Sequence, residues 1–417
     1  MPKAPTLFDN VMSESDTEYN AQSQWKKKPL EECVTLKSGS TPRRSDEENW
    51  GGHLPWISAK SLHQFLIDDA EEYVSKVGAE KSRIVDEDTI LVLVRGMRLA
   101  KEFPVGITRR PVTFNQDVKA AIPKNGIDPL YLAYALKGQE SRALNWTSKT
   151  THGTLRLTTP QLKEIPIPVP SPEEQSRIAK ILGTWDRAIE QVDALIEQKR
   201  ERLHGLRQRL LTGEVRFPEF DKPWVDEEIG SLLKRVYRYV DWDDEATYDL
   251  VSIKRDSQGM IFRESLKGSD IKTKTLNTLK EADFVISRMQ VVHGATAYVS
   301  EEFDGMKASD SYIILVPRDE DRIDTEFFAE LSKLPYLYHI AFTSSYGVHI
   351  EKMTFNLEWY FESEVHIPPS VEEQRKIVSF LNEVKSEINT LEEKRDALQR
   401  QKKGLMQRLL TGAVRTV

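Results

Sequence analysis

The sequence predicts an α+β chain in which two mixed α/β domains are separated by two long helices. The helices are expected to form an antiparallel coiled-coil pair, with the two halves related by an approximate two-fold. Three observations predict this. A long amphipathic stretch occurs twice, at 170–216 and 368–417, and the copies align without a gap at an offset of 199 residues. Between Gly205 and Arg216, ten of twelve residues are identical to those between Gly404 and Arg415. Each stretch is preceded by a globular segment, and the two segments share an order of elements. Self-similarity on this scale means duplication.

The heptad seam identifies the long stretches. Leu182, Trp185, Ile189, Val192, Ile196, Leu203, Leu206 and Leu210 alternate steps of three and four, with Lys199 in the missing place. Leu381, Val384, Ile388, Leu391, Leu398, Leu405 and Leu409 do the same, interrupted by Arg395 and Lys402. Such a seam, kept for about four heptads, needs a partner helix. The other copy is the partner in hand; the alternative is two unrelated surface helices. Ser171 and Ser370 are candidate N-caps, with Glu174 and Glu373 three residues later as in a capping box. Gly213 and Gly412 suit left-handed C-caps.

In chain order, residues 1–24 are a polar, acidic N-terminal extension expected to be extended or disordered. The first globular domain is 25–169. Ile90–Val94 and Val118–Ile122 read as strands, and Asp128-Pro129 opens a short buried helix. Long helix 1 occupies 170–216, and the proline-punctuated 217–223 is a linker. The second domain, 224–367, repeats the order, with strands at Phe284–Ile286, Thr296–Val299 and Tyr312–Val316 and a helix opened by Asp324. Near each domain's end stand two hydroxyl residues, a ring and a glycine: Thr150-Thr151-His152-Gly153 and Ser344-Ser345-Tyr346-Gly347. Long helix 2 fills 368–417.

Composition bounds the function. The 417 residues carry 39% hydrophobic and 30% charged side chains, with no 18-residue apolar run to span a membrane. The N-terminus lacks a basic start followed by an apolar core, so no secretory signal is expected. Cys33 is the single cysteine, which excludes internal disulfides and fits a cytoplasmic location. Net charge is −7, unevenly spread. Thr89–Lys163 holds twelve Lys/Arg against four Asp/Glu, a footprint suited to a polyanion. Trp224–His366 holds sixteen against twenty-seven, with a basic part at Lys254–Lys280.

No catalytic constellation emerges. The sequence has no phosphate loop, no dinucleotide fingerprint, no amino-methyltransferase tetrapeptide and no His or Cys at metal-ligand spacing, so no metal is expected. Glu392-Glu393-Lys394 echoes a nuclease motif but lies beside the heptad seam. A non-catalytic binding protein is the expectation. For DNA contact, loop-borne Arg, Lys, His and Tyr are the candidates. They are Arg43, Arg44, Lys149, His152 and Arg156 in the first domain, and Lys254, Arg255, Arg288, Tyr346 and His349 in the second.

An ordered set of pieces resembles one family. They are Ser38-Gly39-Ser40-Thr41-Pro42, Trp50-Gly51-Gly52, Leu54-Pro55-Trp56-Ile57-Ser58, Asn115-Gln116-Asp117-Val118 and His152-Gly153-Thr154. Ile165–Pro170 running into Glu173-Glu174-Gln175, then Arg209–Gly213 with Phe217–Phe220, and the echo Arg408–Gly412, complete the set. The chain resembles the specificity (S) subunit of type I restriction–modification systems, over nearly its whole length after Trp25. The second domain lacks the Trp-Gly-Gly and Pro-Trp-Ile pieces.

The resemblance implies two target recognition domains, each reading half of a bipartite double-stranded DNA target. It implies two methyltransferase subunits docked on this chain, and motor–endonuclease subunits joined through them, in DNA methylation and defence against foreign DNA. S-adenosylmethionine, ATP and Mg would be used by those partners, with no cofactor in this chain. The span Leu182–Leu210 gives a rod of roughly 42 Å at 1.5 Å per residue, near the 34–36 Å of one duplex turn. The helix pair is therefore expected to set the unread spacer, and its outer faces, with Lys199, Arg395 and Lys402, to meet the methyltransferases. The alternatives are a related enzyme's recognition subunit, a coiled-coil protein scaffold without DNA reading, and a catalytic nuclease.

Overall fold

The computed structural model describes residues 25–416 except 152, 348, 351 and 352; the expected N-terminal extension and His152 lie outside the described residues. The chain divides into two compact units. The first runs to Val192 and resumes at Lys394; the second is Asp193–Glu393. Each unit takes half of both long helices, Pro172–Leu211 and Val371–Thr411. Among the described residues, no helix is long and apolar enough to cross a membrane.

In the first unit, a five-stranded sheet has the order Val34–Ser38, Val118–Pro123, Ile90–Leu93, Val105–Thr108, Leu66–Ile67. All four residues of Ile90–Leu93 are buried, as a central strand covered on both faces requires. The helix Pro129–Lys137 lies in the same core, with Tyr131 to Leu136 buried. Its start is as the sequence predicts. Asp128 Oδ1 accepts from Tyr131 N at 2.8 Å, and Pro129 fills the first turn. The second unit repeats four strands of this order: Leu233–Val236, Tyr312–Pro317, Phe284–Ser287, Thr296–Tyr298. Asp324 caps Thr325–Leu331 through Phe327 N at 2.9 Å.

A glutamine after each long-helix start ties that helix to the domain helix. Gln175 Oε1 accepts from Asp128 N at 2.8 Å, while its Nε2 donates to the Gly126 and Pro170 carbonyls. Gln374 does the same with Asp324 N, Arg322 O and Pro368 O. Both glutamines are fully buried, so each must spend its amide inside the protein.

Within each unit the long helices run antiparallel. In the first, Arg415 pairs with Glu174 and Lys402 with Asp186; in the second, Arg216 pairs with Glu373 and Lys199 with Glu387. The expected capping box is only half made. Ser171 Oγ accepts from Glu174 N at 3.3 Å, but the Glu174 carboxylate turns away to grip the Arg415 guanidinium at 2.7 and 2.8 Å. A bidentate, charge-assisted pair outcompetes a neutral bond to the backbone. Gly213 and Gly412 adopt left-handed φ of 74° and 77°, ending the helices and turning Arg216 and Arg415 back. Trp224 lies over Gly213 and Trp25 over Gly412, which leaves little space for a side chain there.

Along the seam, Leu182, Ile189, Val192, Ile196, Leu203 and Leu210 are buried, and Trp185 and Leu206 are half-buried. In the second helix Leu381, Val384, Ile388 and Leu409 are buried, with Leu391, Leu398 and Leu405 half-buried. Lys402 does not reach outward. Its ammonium pairs with Asp186 and lies 5.1 Å from the Tyr134 ring centroid. Lys199 is likewise paired, with Glu387, and Arg395 with its neighbour Asp396.

Candidate nucleic-acid interface

The loop pieces of the first domain that carry the resemblance converge at one end of the first unit's large sheet. The strand Val34–Ser38 pairs with Val118–Pro123, Ser38 opposite Lys119, and then leaves the sheet as Gly39-Ser40-Thr41. A side chain at Gly39 would put its Cβ 2.2 Å from the Phe114 carbonyl oxygen, so only glycine fits. Ser40 N donates to Phe114 O at 2.9 Å, and Thr41 Oγ1 to Gln116 Oε1 at 2.8 Å. Asn115 N donates to Ile57 O at 2.9 Å, which brings the Pro-Trp-Ile piece against the same loop.

Arg44 is held on this surface. Its guanidinium lies 4.6 Å from the Trp50 ring centroid and 4.8 Å from that of Trp56, and it pairs with both Glu72 carboxylate oxygens. That pairing holds the Glu72 carboxyl below its usual range. Arg43 is exposed, and its carbonyl accepts from Asn49 Nδ2 and Trp50 Nε1. Lys149 and Arg156 stand on a hairpin of Ser148–Lys149 and Leu155–Arg156. Thr150 and Thr154 close it, and Gly153 supplies a φ of 81°. An Arg95–Arg156 backbone bridge docks the hairpin on the sheet end.

Two further cations belong to this site, and the sequence reading missed both. Burial, then the nearby Arg156 charge, pushes the Lys119 ammonium down from its ordinary range, and its Nζ donates to Ser38 Oγ. Arg95 faces Asp117 at 3.8 Å. Both fall within the basic stretch Thr89–Lys163 and flank Asn115-Gln116-Asp117, which was the available signal. A partly desolvated lysine beside an exposed arginine is a site whose repulsion an anion relieves.

The second unit disperses its candidates. Lys254 and Arg255 are exposed in a loop pinned by Asp256 N to His293 O at 2.7 Å and Ser257 N to Gly294 O at 3.0 Å. Arg288 is half-buried at the end of the Phe284–Ser287 strand, its N–H donating to Ser311 O. Tyr346 lies on a separate hairpin with Thr354–Phe355, its ring 5.9 Å from that of Trp359, and His349 is exposed in the connecting loop. Among the described residues, no group of three or more His, Cys, Asp or Glu is arranged to hold a metal ion.

The sequence model of the family described as Type I restriction modification DNA specificity domain matches residues 22–199 and again 223–400. The chain belongs to this family. It is 25% identical over 418 residues to the type I restriction enzyme MjaVIII specificity subunit of Methanocaldococcus jannaschii, covering 94% of this chain and 93% of that one. It is 31% identical over 166 residues to the EcoR124I/EcoR124II specificity subunit of Escherichia coli, a match that spans 39% of this chain and 41% of the relative. The fold is similar to that of the S subunit of a type I restriction–modification system from M. genitalium, with a TM-score of 0.57, 16% identity, and coverage of 95% of this chain and 98% of that one. A chain from a type I R-M system, solved in work on its complex assembly, gives a TM-score of 0.55 at 13% identity, over 94% of this chain and 99% of that one. The family's two matches fall on the two copies of the repeat.

Proposed function

We propose that this chain is the non-catalytic DNA-specificity subunit of a type I restriction–modification complex. Each unit reads one half of a bipartite target. The observation that carries this reading is the cationic sheet end of the first unit, where Lys119, Arg95 and Arg156 meet the pieces that mark the family. Domain boundaries near 169, 216, 223 and 367 fit it. The helix pair sets the spacer and docks two methyltransferase subunits, through which motor–endonuclease subunits join. S-adenosylmethionine, ATP and Mg act in those partners. A cytoplasmic location follows from a DNA target.

Methylation mapping of the host genome, with and without the gene, should show a two-part motif that depends on it. Four residues inserted in the first helix before Thr212 add about 6 Å and should lengthen the spacer. An unchanged motif would sink the ruler.

Within the first unit, phosphate contact and base reading separate by substitution. Arg156→Ala in the assembled complex should weaken binding to all sequences alike and lower the salt slope by about 1. Relaxation at one base position instead would make Arg156 a reader of base edges.

A further inference from the structure

The second unit carries an exposed aromatic ladder at the sheet end where the first unit carries its small polar loop. The strand Leu233–Val236 holds the place of Val34–Ser38, since each is the outer strand against the long strand Tyr312–Pro317 or Val118–Pro123. Leu233 stands 199 residues after Val34, so Tyr237 and Tyr239 take the places of Ser38 and Ser40. Both tyrosines are open to solvent, 52% and 60% exposed. Their rings lie 5.6 Å apart, and the Arg235 guanidinium sits 4.3 Å from the Tyr237 ring centroid. Residues 235, 237 and 239 share one face of an extended segment by its period of two. Arg235 Nε is buried and has no hydrogen-bond partner among the described residues.

The ladder is preorganised. Between the tyrosines, Arg238 points inward and grips the buried Asp283 carboxylate at 2.6 and 2.9 Å. Its N–H donates to Asn277 Oδ1 at 2.9 Å, and its carbonyl accepts from Thr278 N at 2.8 Å. Arg288 leaves the same end of this sheet two strands away, roughly 10 Å at ordinary strand spacing. Rigid tyrosines lose little side-chain entropy on binding and offer both a ring and a hydroxyl. With two arginines beside them, they suit a polyanion whose sugars present apolar edges and whose phosphates accept hydrogen bonds.

We propose that Tyr237 and Tyr239, aligned with Arg235, form the DNA-contacting edge of the second unit. This rests on the DNA-specificity reading above. In cells carrying Tyr237→Ala with Tyr239→Ala, methylation mapping should show the motif changed in one half only, or its methylated fraction down tenfold or more while the methyltransferase still co-purifies with the chain. A second measurement uses the unaltered complex. Nitration of Tyr237 and Tyr239 by tetranitromethane, followed by mass spectrometry, should slow at least fivefold when duplex DNA bearing the mapped motif is added. Equal nitration with and without that duplex overturns the proposal. So does an unchanged motif and methylated fraction in the double variant, or loss of methyltransferase co-purification with the motif intact, which would put a protein on this edge. Absence of any gene-dependent motif with the unaltered chain would overturn the DNA-specificity reading itself.

Discussion

Replacing Glu330 with alanine is expected to destabilise the second unit by about 3–5 kcal/mol, because it strands buried cations. Glu330 is 3% exposed on the helix Thr325–Leu331. It accepts from Arg207 of the first long helix at 3.0 Å and from Lys385 of the second at 2.8 Å, and it pairs with Lys333. Burial alone would raise its pKa; the surrounding cations overcome this and bring it to about 2. Lys333 contributes the largest share of that lowering, ahead of Lys385 and Arg207, and is itself pushed down, by burial first. The folded carboxyl titrates below its unfolded range near 4.3. Its contribution is therefore fully present above that range and is lost as pH falls toward 2. Urea melts of wild type and Glu330→Gln should differ most at neutral pH and converge at acid pH. A gap that stays constant from neutral pH down to pH 3 would remove the charge from the account.

Breaking a helix-end clamp is the second large effect. Arg415→Met leaves Glu174, 3% exposed, as an unpaired charge, and should cost about 3–5 kcal/mol in the first unit. Adding Glu174→Gln should recover much of that loss, because the stranded charge goes with it. Denaturant melts of the two single variants and the double read the coupling directly. Additive losses would mean that the two side chains act independently. The Arg415 guanidinium holds the Glu174 carboxyl below its usual range, so the clamp also loosens as pH falls through that lowered value. The equivalent clamp joins Arg216 to Glu373 in the second unit, with Trp224 Nε1 donating to the same carboxylate at 3.2 Å.

These clamps explain why the repeat is closest to identity where it is. Glycine ends the helix, and arginine turns back to the glutamate near the other helix's start. Each copy therefore supplies one half of two clamps, and neither half can drift without losing a buried ion pair. The domain-helix contacts show the opposite pattern. Tyr134 and Glu330 hold the same place, six residues after their capping aspartates. Their partners Asp186 and Lys385 stand 199 apart and are opposite in charge. The duplicated sites have kept their geometry and inverted their sign.

The DNA-facing candidates were less legible. Arg156 and Lys149 stand out beside a glycine turn, whereas Lys119 and Arg95 read as ordinary strand-end charges. Nothing local marks Tyr237 and Tyr239 as exposed, since alternating aromatics in a strand read as half-buried.

By itself the sequence determined the duplication, the long helices with their glycine ends, the domain helices with their aspartate caps, and the family. All of these rest on interactions within a few residues, or on repetition, which a linear string records. Only the tertiary structure decided that Glu174 serves Arg415 rather than its own cap, that Lys402 turns inward to Asp186, and that four distant segments build one cationic sheet end. Those outcomes depend on which groups burial deprives of water, and a buried charge takes the best partner that folding brings near, however far away it stands in the chain.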